Sequence, residues 1–166
     1  MNNIIPYGKQ FIDKKDIANV LKILKSNFLT TGPFVDNFEK KINNYVGSKY
    51  ALTCNSGTSA LHLAFLTIKV QPGDVIIMPA INFIASFNIC KILKAKIFLA
   101  DVDPKTGRMR PEDIETCIKK YRLKKIKAII TMHLGGMYEN ILKFYLLKKK
   151  YKCCLIEEAC HAFGSF

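Results

Sequence analysis

"VIIMPAINFIASFNICKILKAKIFLA", residues 75–100, is the stretch on which the fold turns. Its apolar opening, 75–93, has the length of a membrane span, yet Pro79, Asn82, Ser86 and Asn88 interrupt it. A spanning helix needs about 20 nearly unbroken apolar residues. The tract therefore reads as a buried strand, a turn and a helix, followed by a second strand, "KIFLA", at 96–100. The same rhythm continues on both sides. Apolar runs "YALTCN" (50–55), "VIIMPA" (75–80), "KIFLA", "KAIITM" (127–132) and "CCLIE" (153–157) alternate with helix-like segments near 57–68, 81–94, 111–121 and 138–150. Near-continuous apolar strands separated by helices imply βαβ units. The expected fold is α/β: a mostly parallel sheet with helices on both faces, binding ligands outside the carboxyl ends of its strands.

Residues 1–48 read differently, as a helical segment preceding the sheet-forming region 49–166. Asp13 is a candidate N-cap with Asp16 three residues on, and Ile17, Val20, Leu21 and Leu24 follow helical spacing. "NFLTTGPF" (27–34) breaks that helix. Pro33 can open the next, whose apolar face is Phe34, Val35, Phe38, Ile42 and Tyr45 and whose end is Gly47.

Lysine and arginine number 26 against 13 acids, a formal charge of +13. Only Arg108, Arg110 and Arg122 are arginines; the lysines are scattered, with one dense run, "KFYLLKKKYK", at 143–152. Phosphate and base recognition favours arginine forks and interleaved aromatics. The charge is therefore read as a solvated lysine surface rather than a nucleic-acid site. Six cysteines lack zinc-like spacing, which suits a reducing, cytoplasmic setting. The opening "MNNIIPYGKQFIDKKD" is too polar for a secretory leader, and no membrane association is expected.

Chemistry should collect just after each apolar run. "NSGTSALHLAF" (55–65) places Gly57 and Thr58 at a helix start, where free N–H groups attract an anion. Read alone, Ser56-Gly57-Thr58 is an ordinary N-cap. Phe83 opens the next helix, where its ring can cover a flat ligand or simply enter the core. Asp101 and Asp103 suggest acid–base or metal work, but Asp103-Pro104 with Thr106-Gly107 is turn chemistry, and that reading is preferred. His133 precedes a tight Gly135-Gly136 turn. Glu158 and His161 follow the last run; Glu157 should point to the opposite sheet face. Cys160 beside His161 makes no thiol-protease dyad, because adjacent residues do not readily face one another.

Taken in order, "NFLTTGPFVDNFE", "YALTCNSGTSALHLAF", "MPAINFIASFN", "FLADVDP", "AIITMHLGG" and "IEEACHAFGS" resemble the DegT-type nucleotide-sugar aminotransferases, enzymes of pyridoxal-phosphate (PLP) fold type I. Within that family "SNFLTTGP" and "ACHAFGS" are most similar to the subgroup aminating UDP-linked 4-keto-6-deoxy-hexosamines. The resemblance implies a PLP cofactor, a UDP-linked keto sugar, an amino donor such as glutamate, and a homodimer for full-length relatives. It assigns the phosphate turn to Gly57 and Thr58, ring stacking to Phe83, and the acid at the pyridine nitrogen to Glu158. His161 falls beside the cofactor, while Tyr7, Leu29, Thr30, Thr31 and Gly32 fall on segments that hold the sugar nucleotide.

Two residues depart from the pattern. Glu158 stands where the family has aspartate, and Asn140 where relatives often have aspartate. The family's Schiff-base lysine lies beyond the "HA-G" turn, and none of this chain's lysines has that context. The resemblance therefore implies a front part of the enzyme, without the remaining strands or the small C-terminal domain, inactive alone and with PLP binding weakened or lost. A split enzyme completed by a second polypeptide, or a non-catalytic protein binding PLP or a sugar nucleotide, are the alternatives.

Overall fold

The computed structural model describes residues 8–137 and 140–165. Tyr7 lies outside them. Two compact units are present, divided between Thr53 and Cys54.

In the first unit, α1 (Lys14–Leu24) starts on a capping box: Asp13 Oδ1 accepts from the Lys15 and Asp16 amides, and Asp16 Oδ2 accepts from the Asp13 amide. Helix α2 (Pro33–Val46) opens with proline and closes on Gly47 in the left-handed conformation, as its sequence predicts. The apolar stripe of α1 exists, but Ile17, Val20, Leu21 and Leu24 are all at least half exposed. Periodicity selects a helix and its face; burial requires a partner surface.

The second unit contains α3 (Gly57–Thr67), β1 (Val75–Pro79), α4 (Ile84–Ile92), β2 (Lys96–Ala100), α5 (Pro111–Tyr121), β3 (Ala128–Met132), α6 (Ile141–Tyr151) and β4 (Cys154–Glu158). All pairings are parallel, in the order β2-β1-β3-β4. Side-chain parity sorts the two layers. Ile76, Met78, Ala128 and Ile130 pack with Leu61 and Phe65 of α3 and with Ala85, Ile89 and Cys90 of α4. Ile77 and Ile129 pack on the other face with Ile114, Cys117 and Ile118 of α5 and with Phe144 and Leu147 of α6. The helices after β1 and β3, two neighbouring strands, thus leave toward opposite faces. That divergence opens a crevice at the strands' carboxyl ends, where ligands bind in such sheets.

One expected strand is absent. Residues 50–55 form no ladder among the described residues. Both edges of β1 and both edges of β3 are already paired, so the central ladder has no place for them. The Thr53 amide and hydroxyl instead donate to Glu39 Oε1 at 2.7 and 2.9 Å. Tyr50 and Leu52 stay exposed, as apolar residues do without a covering surface.

A candidate cofactor site at the strand tips

The phosphate-type feature is built first. Ser56, extended, caps α3: its Oγ accepts from the Ser59 amide at 3.1 Å and its carbonyl from the Ala60 amide at 3.0 Å. Gly57 and Thr58 occupy the first two helical positions, whose N–H groups have no intrahelical acceptor. Phe83 is the extended N-cap of α4, 55% exposed rather than core. Thr58, Ser59, His62 and Phe83 line one groove of about 290 Å³. The α3 N-terminus and the aromatic face are therefore neighbours. No lysine lines this groove.

Glu158 ends β4 on the α3/α4 side of the sheet, because Cys154 and Ile156, four and two residues earlier, pack in that layer. It is only 5% exposed, and its Oε2 is buried without a hydrogen-bond partner among the described residues. Burial pushes its carboxyl above the ordinary glutamate value, against a smaller opposing pull from His161. The turn that follows returns toward α3. A Cβ built on Gly57 would stand 3.2 Å from Cys160 Sγ, so the glycine permits this approach. His161 Nδ1 accepts from the Gly135 amide at 3.3 Å, tying the turn to the loop after β3. Gly135 and Gly136 both have positive φ, matching the tight turn expected there. Gly57, Thr58, Phe83, Glu158 and His161 thus belong to one end of one sheet.

The remaining expectations sort as follows. Asp103 is structural: its Oδ1 accepts from the Lys105 and Thr106 amides and its Oδ2 from Arg110 Nη1 at 2.9 Å. Asn140 precedes α6 but makes no side-chain cap bond. Leu29, Thr30, Thr31 and Gly32 link α1 to α2 in the first unit, with Thr31 and Gly32 at positive φ. A Cβ on Gly32 would fall 2.9 Å from Phe28 Cβ, so glycine is required there.

A PLP group needs N–H donors for a phosphate, a ring cover, and a carboxylate for a protonated pyridine nitrogen. The α3 terminus and Phe83 meet the first two needs. The orphaned Glu158 oxygen meets the third: a buried acceptor without a donor is costly until something supplies one.

The sequence profile of the DegT/DnrJ/EryC1/StrS aminotransferase family matches residues 10–166. The chain belongs to that family. DegT/DnrJ/EryC1/StrS members are PLP-dependent sugar aminotransferases of fold type I, which accords with the parallel sheet. The UDP-4-amino-4-deoxy-L-arabinose–oxoglutarate aminotransferase of Shewanella sediminis is 32% identical over 163 residues, 98% of this chain and 41% of that protein. The aminotransferase of Psychrobacter cryohalolentis superposes with a TM-score of 0.84 at 28% identity, covering 95% of this chain and 40% of that one. A structure described as a sugar aminotransferase of Streptococcus pneumoniae in its PLP form gives 0.80 at 28%, covering 93% and 38%. The chain thus spans about two fifths of the length of the family members it matches.

A further cluster in this DegT/DnrJ/EryC1/StrS domain escaped sequence reasoning. His133 Nε2 lies 3.1 Å from Glu157 Oε2, and the Tyr145 hydroxyl donates to Glu157 Oε1 at 3.2 Å. Glu157 leaves β4 toward α6, opposite Glu158, as strand alternation predicts. Its carboxyl is held below the ordinary range, chiefly by the His133 hydrogen bond.

The raised Glu158 carboxyl has a thermodynamic signature. Above the ordinary glutamate pKa the unfolded chain releases this proton while the folded chain retains it. Stability therefore falls as pH rises between the unfolded and folded values. Glu158→Gln removes that loss. The expected result is a variant matching the parent near pH 4 and melting above it at pH 8, measured by thermal unfolding across pH. Parallel curves at every pH would contradict the burial argument.

Proposed function

We propose that this chain is the cofactor-holding part of a PLP-dependent aminotransferase that moves an amino group, typically from glutamate, onto a UDP-linked 4-keto-6-deoxy sugar. The amino group then serves cell-surface sugar biosynthesis in the cytoplasm. The reading rests on one observation above others: a buried carboxyl without a partner, Glu158, on the sheet face that carries Phe83 and the α3 N-terminus. In this reading residues 1–48 form a helical segment that contributes to the sugar-nucleotide site through Tyr7 and Leu29–Gly32. Residues 49–166 form part of the PLP-binding large domain, dimeric in full-length relatives. The Shewanella relative, named for a UDP-4-amino-4-deoxy-L-arabinose, favours a UDP-linked 4-position chemistry.

When bound, PLP supplies an electron sink for amino transfer. The chain's own work is binding and orientation. The Gly57 and Thr58 amides would donate to the phosphate, Phe83 would cover the ring, and Glu158 would keep a proton on the ring nitrogen. His161, held through Gly135, packs against the same end. In this reading the chain alone holds the group without covalent attachment and does not turn over.

Pyridoxamine phosphate is the suitable probe, since without an aldehyde it forms no imines with surface lysines. The chain should bind it saturably, as read by calorimetry and ring absorbance. Glu158→Gln should weaken binding at least tenfold, the scale of a hydrogen bond to a charged group, about 1.5–3 kcal/mol. Equal affinity in parent and variant would remove Glu158 from the site. Amino transfer by the isolated chain would overturn its assignment as a holding domain.

A further inference from the structure

We propose that His133, Glu157 and Tyr145 act as positioning residues, a rear clamp on β4 that sets where the Glu158 carboxyl stands on the α3/α4 side of the sheet. The proposal rests on the cofactor-holding reading above, and extends it to three residues away from the α3/α4 side of the sheet.

Glu158 terminates a strand paired, among the described residues, on one side only. Its front carboxyl oxygen has no partner that could hold it. A glutamate also carries one more side-chain torsion than aspartate, so its head group wanders further unless the backbone beneath it is fixed. Fixation comes from behind. His133 grips two successive residues of β4: its backbone N–H donates to the Glu158 carbonyl at 3.0 Å, and its ring meets Glu157 at 3.1 Å. Tyr145 brings α6 onto the second Glu157 oxygen. One carboxylate thereby joins β4, the segment after β3, and the helix covering the far face.

The energetics suit this role. His133 is 7% exposed and Glu157 is partly buried, so their contact is screened less than a surface pair. Tyr145 titrates above its ordinary value, first because of the neighbouring Glu157 charge, and therefore remains a donor through neutral pH. Among the described residues, the titratable groups facing Glu157 are His133, Tyr145 and Lys148, and His161 faces Glu158. Tyr145 itself packs on the α5/α6 side, so any effect on Glu158 passes through the strand.

Tyr145→Phe deletes the hydroxyl and keeps the ring; Glu157→Gln deletes the charge and keeps the shape. Two readouts decide the proposal in folded protein. The first is the carboxyl titration of Glu158 in the ligand-free chain, followed by 13C NMR and assigned with Glu158→Gln. The second is the dissociation constant for pyridoxamine phosphate. Both variants should move the Glu158 midpoint toward the ordinary glutamate value as the strand tip loosens. Tyr145→Phe should weaken the probe about fivefold, the effect of one hydrogen bond, and Glu157→Gln should weaken it more. A Glu158 midpoint and a probe affinity unchanged in both variants overturn the clamp. If the parent chain binds no probe, the functional reading fails while the titration still decides the clamp. If Tyr145→Phe does not fold, Glu157→Gln carries both readouts.

Discussion

Phe65→Ala should cost the second unit a large share of its stability. Phe65 is fully buried in the layer formed by α3, α4 and the sheet. Deleting a buried aromatic ring costs about 3–5 kcal/mol, against total stabilities of about 5–15 kcal/mol for domains of this kind. The loss is not confined to stability. Phe65 anchors α3, and α3 carries the Gly57 and Thr58 amides at its other end. The melting temperature should fall by more than about 10 °C. Probe binding should fall in proportion to the folded fraction. A variant melting within a few degrees of the parent would mean that this face is not the core that positions the α3 N-terminus.

Gly136→Ala should disable the site through the turn after β4. Gly136 has φ +79°, and a Cβ there would stand 2.7 Å from the His161 carbonyl oxygen. Left-handed backbone costs a non-glycine residue roughly 1–2 kcal/mol, and the overlap with backbone must be relieved by moving the 159–164 turn. That turn holds Cys160 against Gly57 and His161 against Gly135. Gly135→Ala is the control. Gly135 also has positive φ, +67°, yet a Cβ there meets nothing within 4 Å. The expected pattern is a modest melting shift for Gly135→Ala with probe binding kept, and a larger shift with binding lost for Gly136→Ala. Equal behaviour in both variants would show that strain, not the close approach, governs the loop.

Much of this architecture is legible in local patterns. The tract at 75–100 becomes β1, α4 and β2 because Pro79 and Asn82 end one period and a 3.6-residue period begins after Phe83. Asp13, Pro33 and Gly47 mark helix ends because caps are satisfied by residues a few positions away. Glu157 and Glu158 are told apart by alternation alone. "YALTCN" failed as a strand for the complementary reason. Its composition suits a sheet, but strand formation depends on a neighbour that offers donors and acceptors, and no run of six residues encodes that.

What the amino-acid order settled by itself is most of the elements and which residues stand at their tips, since backbone preference and side-chain periodicity act over one or two turns. Only the tertiary structure decided that Glu158 is buried without a partner, that Cys160 meets Gly57, and that His133, Glu157 and Tyr145 share one carboxylate. Those facts depend on parallel strands aligning in register and on helices crossing opposite faces. The groups they join lie 24 and 12 residues apart for Glu157's two partners, beyond any local rule. Burial and pairing are properties of packed surfaces, and packing sums contributions from the whole sheet.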